Sequence, residues 1–391
     1  MIKLTLPVVV LLLAISCPGQ AYLKLHQQAV VVDTHNDIPS ASIEKKLLFD
    51  SDLTGKSHTD LKRLQQGGVD VQFFSIYCGP EQASPYAFAN REIDSVYAWV
   101  NRNPGAMRPA NNVAQIKQAV KQHKIAATFG VEGGHMIENS LANLDSLYAR
   151  GARYLTLTWN NSTDWATSAK DETEKKDSLT HKGLTNFGKQ VVKRMNDLGM
   201  MIDISHNGEQ TFWDAINTST KPVIASHSSV YNICPHRRNL KDDQIIAIAK
   251  KGGVIQLNFY AGFLDSNYAK GVEKFNARHK PEIDSMVAQK TDQAYAIMLL
   301  ADKYKTEIDS IRPPLSKLIE HIDYIVKLVG VDYVGLGADF DGMEAPPLEL
   351  NSVKDYPLIT KALLEKGYSK KDIKKILGGN LIRVYTEVEN K

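Results

Sequence analysis

Six side chains of metal-binding or proton-carrying type, His35, Asp37, Glu132, His206, His227 and Asp339, stand at the ends of short apolar runs in this 391-residue chain. Within Val30-Val31-Val32-Asp33-Thr34-His35-Asn36-Asp37, an imidazole and a carboxylate lie two residues apart. In extended chain both project to one side and can share a divalent ion. Glu132 closes residues 126–131 and precedes Gly133-Gly134, where missing side chains let the backbone turn tightly beside whatever the carboxylate binds. Its two oxygens can bridge two ions. His206 ends residues 201–205 and His227 ends residues 223–226. On consecutive parallel strands those imidazoles would stand side by side, as a metal pair requires. Asp339 follows residues 334–338 and can reach the same opening.

Each residue alone has a plainer reading: a hydrogen-bonded loop histidine, a salt-bridged glutamate, or a turn aspartate in Asp339-Phe340-Asp341-Gly342. Their common position at run ends is what singles them out. His26, His58, His123 and His181 lack that setting and are expected at the surface. His135 and His236 lie nearer the group but at no strand end.

The elements that must hold such a group follow from the same runs. Residues 29–35, 69–77, 126–132, 154–159, 200–205, 222–227, 253–259 and 333–338 are short and rich in β-branched side chains. Between them lie amphipathic stretches such as 141–150, 184–198, 242–251 and 315–328, with apolar residues at three-to-four spacing. Eight strands alternating with helices predict an α/β fold, a (β/α)8 barrel of TIM type, whose chemistry sits at the C-terminal strand ends. No repeat or Gly/Ser-rich linker divides residues 22–391, so one domain is expected. Residues 162–181 are read as a polar loop over the barrel mouth and 265–290 as a helical insertion. Residues 370–387 read as helix broken at Gly378-Gly379, with Asn380 capping the next segment.

Composition narrows the partner. The chain is 43% apolar and 23% charged, with a formal charge of +3. That leaves no strong field to draw nucleic acid or an anionic membrane, and points to a small-molecule partner. Residues 1–21 read as an export signal with one early lysine and a brief apolar run. Ala14-Ile15-Ser16-Cys17 resembles a lipobox that would leave lipid on Cys17; Gly19-Gln20-Ala21 offers an ordinary cleavage site. The first is preferred, so the product is expected outside the cytoplasm, as an envelope lipoprotein or a periplasmic protein. Cys78 and Cys234, far apart in sequence, are expected as separate buried thiols. The tail from Glu387 to Lys391 carries no hydrophobic lipid-anchor signal.

Taken together, several segments resemble the renal (membrane) dipeptidase family of zinc metallopeptidases, in order and spacing, from about Val30 to Val384. They are Asp33-Thr34-His35-Asn36-Asp37, Glu132-Gly133-Gly134, Arg153-Tyr154-Leu155-Thr156-Leu157-Thr158, Asp203-Ile204-Ser205-His206, Ser226-His227-Ser228-Ser229, Arg237-Arg238-Asn239, Gly337-Ala338-Asp339-Phe340-Asp341-Gly342 and Gly378-Gly379-Asn380. The resemblance implies a bacterial dipeptidase of the metal-dependent hydrolase superfamily with two zinc ions per chain. It further implies His35 and Asp37 on one ion, His206 and His227 on the other, Glu132 bridging, Asp339 handling protons, and Arg238 receiving the substrate carboxylate. Three departures stand out. Trp159 occupies the place where better-known members carry a substrate-contacting histidine, Phe263 stands where a tyrosine is usual, and the disulfide partners of Cys78 and Cys234 are not in their expected places.

Two zinc ions joined by one carboxylate would lower the pKa of a shared water and polarise the carbonyl it attacks. Asp339 would pass the proton to the leaving amine, and Arg238 would read a free carboxylate as a bidentate fork. The substrate class is therefore a small dipeptide. An amidohydrolase of N-acyl amino acids or lactams is the alternative if Trp159 has remodelled the carbonyl pocket. A non-catalytic exported binding lipoprotein is disfavoured because the whole ligand set is present. A homodimer is left open.

Overall fold

The computed structural model describes residues 18–289 and 293–390. The expected signal segment and its Cys17 site lie outside them, except that residues 18–21 begin the helix Pro18–Gln27. Nine strands follow: β1 (Val32–Asn36), β2 (Val71–Ile76), β3 (Met107–Pro109), β4 (Ile125–Glu132), β5 (Ala152–Thr156), β6 (Met201–Asp203), β7 (Val223–Ala225), β8 (Val254–Leu257) and β9 (Val334–Leu336). All pair in parallel, in the order β1-β2-β4-β5-β6-β7-β8-β9. These eight correspond to the eight expected runs. The ninth, β3, was not anticipated; it pairs with the first half of β4 while β5 pairs with the second half.

The barrel nearly closes between β9 and β1, and it does so at the chemical end. Asp339 N donates to His35 O at 3.0 Å, and Asp37 N to Phe340 O at 2.9 Å. Lower down, side chains take over the seam. Asp33 Oδ1 accepts from Ala338 N at 3.0 Å, and Thr34 Oγ1 donates to Leu336 O at 3.1 Å. The interior is filled by Val32, Val71, Phe73, Tyr154, Met201, Ile224 and Val254, with Leu381, Val384 and Tyr385 of the helix Asn380–Glu389 packed beneath. A plugged floor leaves the C-terminal strand ends as the accessible face.

The Gly378-Gly379 break is where it was expected, and a side chain on Gly378 would overlap the Val30 carbonyl and Val32. Asn380 does not cap the helix that follows. Its amide donates to Val331 O at 2.7 Å and Val334 O at 2.8 Å, tying that helix to the entry of β9. Only the outer part of the 162–181 segment is a surface loop. Trp165, Ala166 and Thr167 are fully buried, and Ser168 caps the helix Ala169–Glu174 by accepting from Asp171 N. The insertion expected at 265–290, whose last residue lies outside the described ones, is helical over Ser266–Arg278 and Lys280–Ala288, around a small core of Tyr268, Phe275, Ile283 and Ile308. His26 is not at the surface: Thr360 Oγ1 (2.7 Å) and Gly67 O (2.8 Å) hold its two nitrogens in the interior. His58 is half-buried beside Asp341, whose Oδ1 accepts from the His58 backbone N at 2.7 Å. Cys78 and Cys234 are free and buried.

Candidate active site

The six residues picked from the sequence converge at the mouth of the barrel. Glu132, the last residue of β4, sits at the centre with its two oxygens facing different ways. Oε2 lies 3.2 Å from His35 Nε2; Oε1 lies 2.9 Å from His206 Nε2 and 3.4 Å from His227 Nε2. Asp37 Oδ2 is 3.5 Å from His35 Nε2. Two sets of donor atoms fall close enough to share a cation: His35, Glu132 and His227; and His35, Asp37 and Asp339. His35 thus belongs to both, and Asp339 stands within reach of the His35–Asp37 side.

The orientation of the histidines comes from their outward nitrogens. His35 Nδ1 is 2.8 Å from Tyr154 Oη, and that hydroxyl gives its only proton to Thr34 O at 2.9 Å. Nδ1 must therefore be the donor, so the neutral ring carries no proton on Nε2. His227 Nδ1 lies 2.7 Å from Ser226 Oγ, whose proton goes to Asp203 Oδ2 at 2.6 Å. His206 Nδ1 donates to Asn160 Oδ1 at 3.2 Å. In the neutral form all three rings therefore keep their proton on Nδ1 and turn Nε2 inward, the tautomer that metal ligation needs.

The centre demands positive charge. His206 Nε2 and His227 Nε2 approach to 3.0 Å with no proton to share, while His35 Nε2 and Asp37 Oδ1 have no hydrogen-bond partner among the described residues. Burial, helped by Arg238, pushes His206 down to about 3, and burial and His35 hold His227 well below its ordinary value. Against burial, His35, His206 and His227 hold Glu132 well below the carboxylate range. Also against burial, Tyr154, Glu132 and Asp37 hold His35 well above the usual imidazole value. A cation among these donors would satisfy all of them, so the residues present fit a metal centre.

Backbone strain marks the same spot. His206 (φ 65°) and Asp339 (φ 68°) lie in the left-handed region just beyond β6 and β9, at roughly 1–2 kcal/mol each. The bend turns each side chain inward, and Asn258 Nδ2 fixes Asp339 by donating to Oδ2 at 2.8 Å. Burial and the neighbouring Asp37 raise Asp339 well above the carboxylate range. Asp341 instead takes the structural role its sequence suggested, bonding the His58 backbone.

Arg238 is 5% exposed. It makes only long bonds, Nη1 to Ser228 Oγ at 3.5 Å and Nη2 to His227 O at 3.3 Å, and its Nε has no partner among the described residues. Burial lowers its pKa to about 10, which leaves the guanidinium charged at neutral pH. Phe263 lies under it at 5.4 Å and against Tyr260 at 4.9 Å. Trp159 stands half-buried at the rim, 4.9 Å from Tyr77 and 6.3 Å from His206 by ring centroids. The reading of residues by their run ends missed Tyr154, Asp203, Ser226, Asn160, Asn258 and Tyr77. Asp203 and Tyr154 did leave a signal, since each is a polar group inside an apolar strand and needs a buried partner.

A (β/α)8 barrel with imidazoles and carboxylates gathered at its C-terminal mouth places the protein among the metal-dependent hydrolases. The family model described as Membrane dipeptidase (Peptidase family M19) matches residues 20–391. The chain belongs to that family and is a metallopeptidase. Solved structures agree in fold. The probable dipeptidase PvdM from Pseudomonas aeruginosa superposes with a TM-score of 0.76 at 23% identity, over 95% of this chain and 98% of that one. An amidohydrolase from the same organism gives 0.72 at 20% identity, over 95% and 99%. A metallopeptidase from Rhodobacter sphaeroides, liganded with a phosphinate mimic of L-Ala-D-Ala, gives 0.71 at 22% identity, over 92% and 99%.

Proposed function

We propose that the chain hydrolyses small dipeptides bearing a free C-terminal carboxylate, and that it does so with two zinc ions shared through Glu132. The observation that carries this is the convergence of three Nε2 atoms on the two differently directed oxygens of Glu132. Imidazole and carboxylate together suit zinc. When bound, the ions supply Lewis-acid polarisation of the scissile carbonyl and a nucleophilic water at neutral pH. His35 and Asp37 would hold one side, His206 and His227 the other. Asp339, kept in place by Asn258 and ionised once bound cations offset its burial and the charge of Asp37, accepts the proton of the attacking water and returns it to the leaving amine. Arg238, charged and under-bonded, receives the terminal carboxylate, which places the scissile bond next to a free C-terminus.

Metal analysis of active protein tests this together with a dipeptide panel. Close to two zinc equivalents with dipeptide turnover is expected; full activity with one tightly held ion would overturn the shared-carboxylate arrangement. The aromatic wall of Trp159 and Tyr77 favours a second reading, in which an N-acyl amino acid or lactam rests its acyl group there. The same panel, extended to those compounds, separates the two. Export and lipid attachment at Cys17 belong to the proposal, and a Cys17→Ala variant that stays membrane-bound would refute the anchor.

A further inference from the structure

A cavity of about 320 Å³ opens beside the centre, from His206, Ser228 and Arg238 outward between the 169–182 and 235–244 segments. Its charged lining is Glu172, Lys182, Glu209, Arg237, Arg238 and Lys241, four cations against two anions. Both anions are already engaged. Glu172 accepts from Thr167 Oγ1 at 2.5 Å with Lys182 at 3.8 Å, and Glu209 pairs with Lys241 at 2.8 Å. Among the described residues Arg237 has one ion pair, at 3.1 Å, with Glu174, which stands outside the lining. Arg238 has no acidic partner within ion-pair distance among the described residues. Of the two adjacent guanidiniums that line the chamber, Arg238 has no carboxylate partner among the described residues and Arg237 shares its charge with Glu174 alone, while neither lining carboxylate is free to meet them.

We infer that this chamber is the subsite for the side chain of the substrate's C-terminal residue, and that it selects an anionic one, aspartate or glutamate. The inference rests on the dipeptidase reading, with the α-carboxylate on Arg238. A side chain leaving the same Cα enters the chamber and brings its own carboxylate toward Arg237 and Lys182. The corresponding amide would forfeit that attraction while keeping its shape. Arg237 and Lys182 are partly exposed, with side chains 32% and 56% accessible, so screening limits the gain to about two- to fivefold.

The test compares kcat/KM of the zinc-loaded enzyme for Ala-Glu against Ala-Gln and for Ala-Asp against Ala-Asn. The acidic member of each pair should win by about two- to fivefold, mainly through KM, with the advantage shrinking at high salt. In Arg237→Gln and Lys182→Met the acid-to-amide ratio should move toward one. A merely structural role for these residues would depress both substrates alike and leave the ratio standing. A wild-type ratio at or below one, or a ratio unmoved in both variants, overturns the inference while the dipeptidase reading survives. Absence of turnover on every dipeptide overturns that reading, and the subsite assignment with it.

Discussion

Replacing Tyr154 by phenylalanine isolates the device that aims His35. The tyrosine ring crosses the barrel interior from β5, stacked on Phe73 at 5.8 Å, through a gap that exists because Gly130 on β4 has no side chain to obstruct it. Phenylalanine keeps that packing and removes only the hydroxyl. The His35 Nδ1–H is then left in a fully buried place without its acceptor, a loss of about 1–3 kcal/mol. The ring can recover part of this by moving its proton to Nε2, where Glu132 and Asp37 would welcome it, but that atom is then no longer a ligand. Zinc on the His35 side should bind about 10–100-fold more weakly, or about 1.4–2.7 kcal/mol, as losses of such outer partners generally do. The assay is a competition titration against a chromophoric chelator, with thermal unfolding of the metal-free protein alongside. One of two zinc equivalents should weaken while the other, held by His206 and His227, keeps its affinity. If both ions bind as in the parent and the fold is intact, Tyr154 does not set the tautomer and the orientation argument fails.

Three further outcomes are expected. Asp339→Asn should retain zinc and fold but lower turnover by about 10²–10⁴-fold; loss of metal instead would make Asp339 a ligand, which its place beside His35 and Asp37 permits. Trp159→His should raise kcat on L-L dipeptides more than it changes KM, because a donor beside His206 would act mainly in the transition state; unchanged or lower kcat refutes this. His321 is fully buried, accepting from Val230 N and donating to Leu264 O, both at 3.0 Å, and burial lowers it to about 4. Because the unfolded chain takes up that proton near 6.5, the associated stability is complete above pH 6.5 and is lost as pH falls toward 4. The loss is about 3 kcal/mol. His321→Gln should flatten the stability curve in that window, and an unaltered slope in urea titrations would exclude His321 as its source.

What the sequence disclosed and what it hid divide along a physical line. Apolar, β-branched runs report burial on both faces of a parallel strand, so all eight barrel strands were legible. The same runs overshot. Residues 200–205 contain only Met201–Asp203 as strand, because Ile204 and Ser205 stay buried while the chain bends toward His206. That overshoot kept the ligands legible, since a run end marks the barrel mouth whether or not the ladder reaches it. The strand β3 had no such mark. Met107-Arg108-Pro109 is three residues long with a charged and an imino member, and its pairing is set by β4.

Lateral partners were hidden for a different reason. Thr360 buries His26 across 334 residues, and Tyr154 reaches His35 across 119, separations at which neither period nor spacing carries information. The sequence therefore specified which atoms meet at the centre but not which proton each one lacks. That second fact decides the chemistry. An imidazole with its proton on Nε2 would make the same constellation a hydrogen-bonded cluster with no place for a cation. Tyr154, Ser226 with Asp203, and Asn160 each remove that option for one ring. Metal competence here belongs to residues that would never touch the metal, so a chain keeping His35, Glu132, His206 and His227 but losing those hydroxyls and that amide would keep the motif and lose the site.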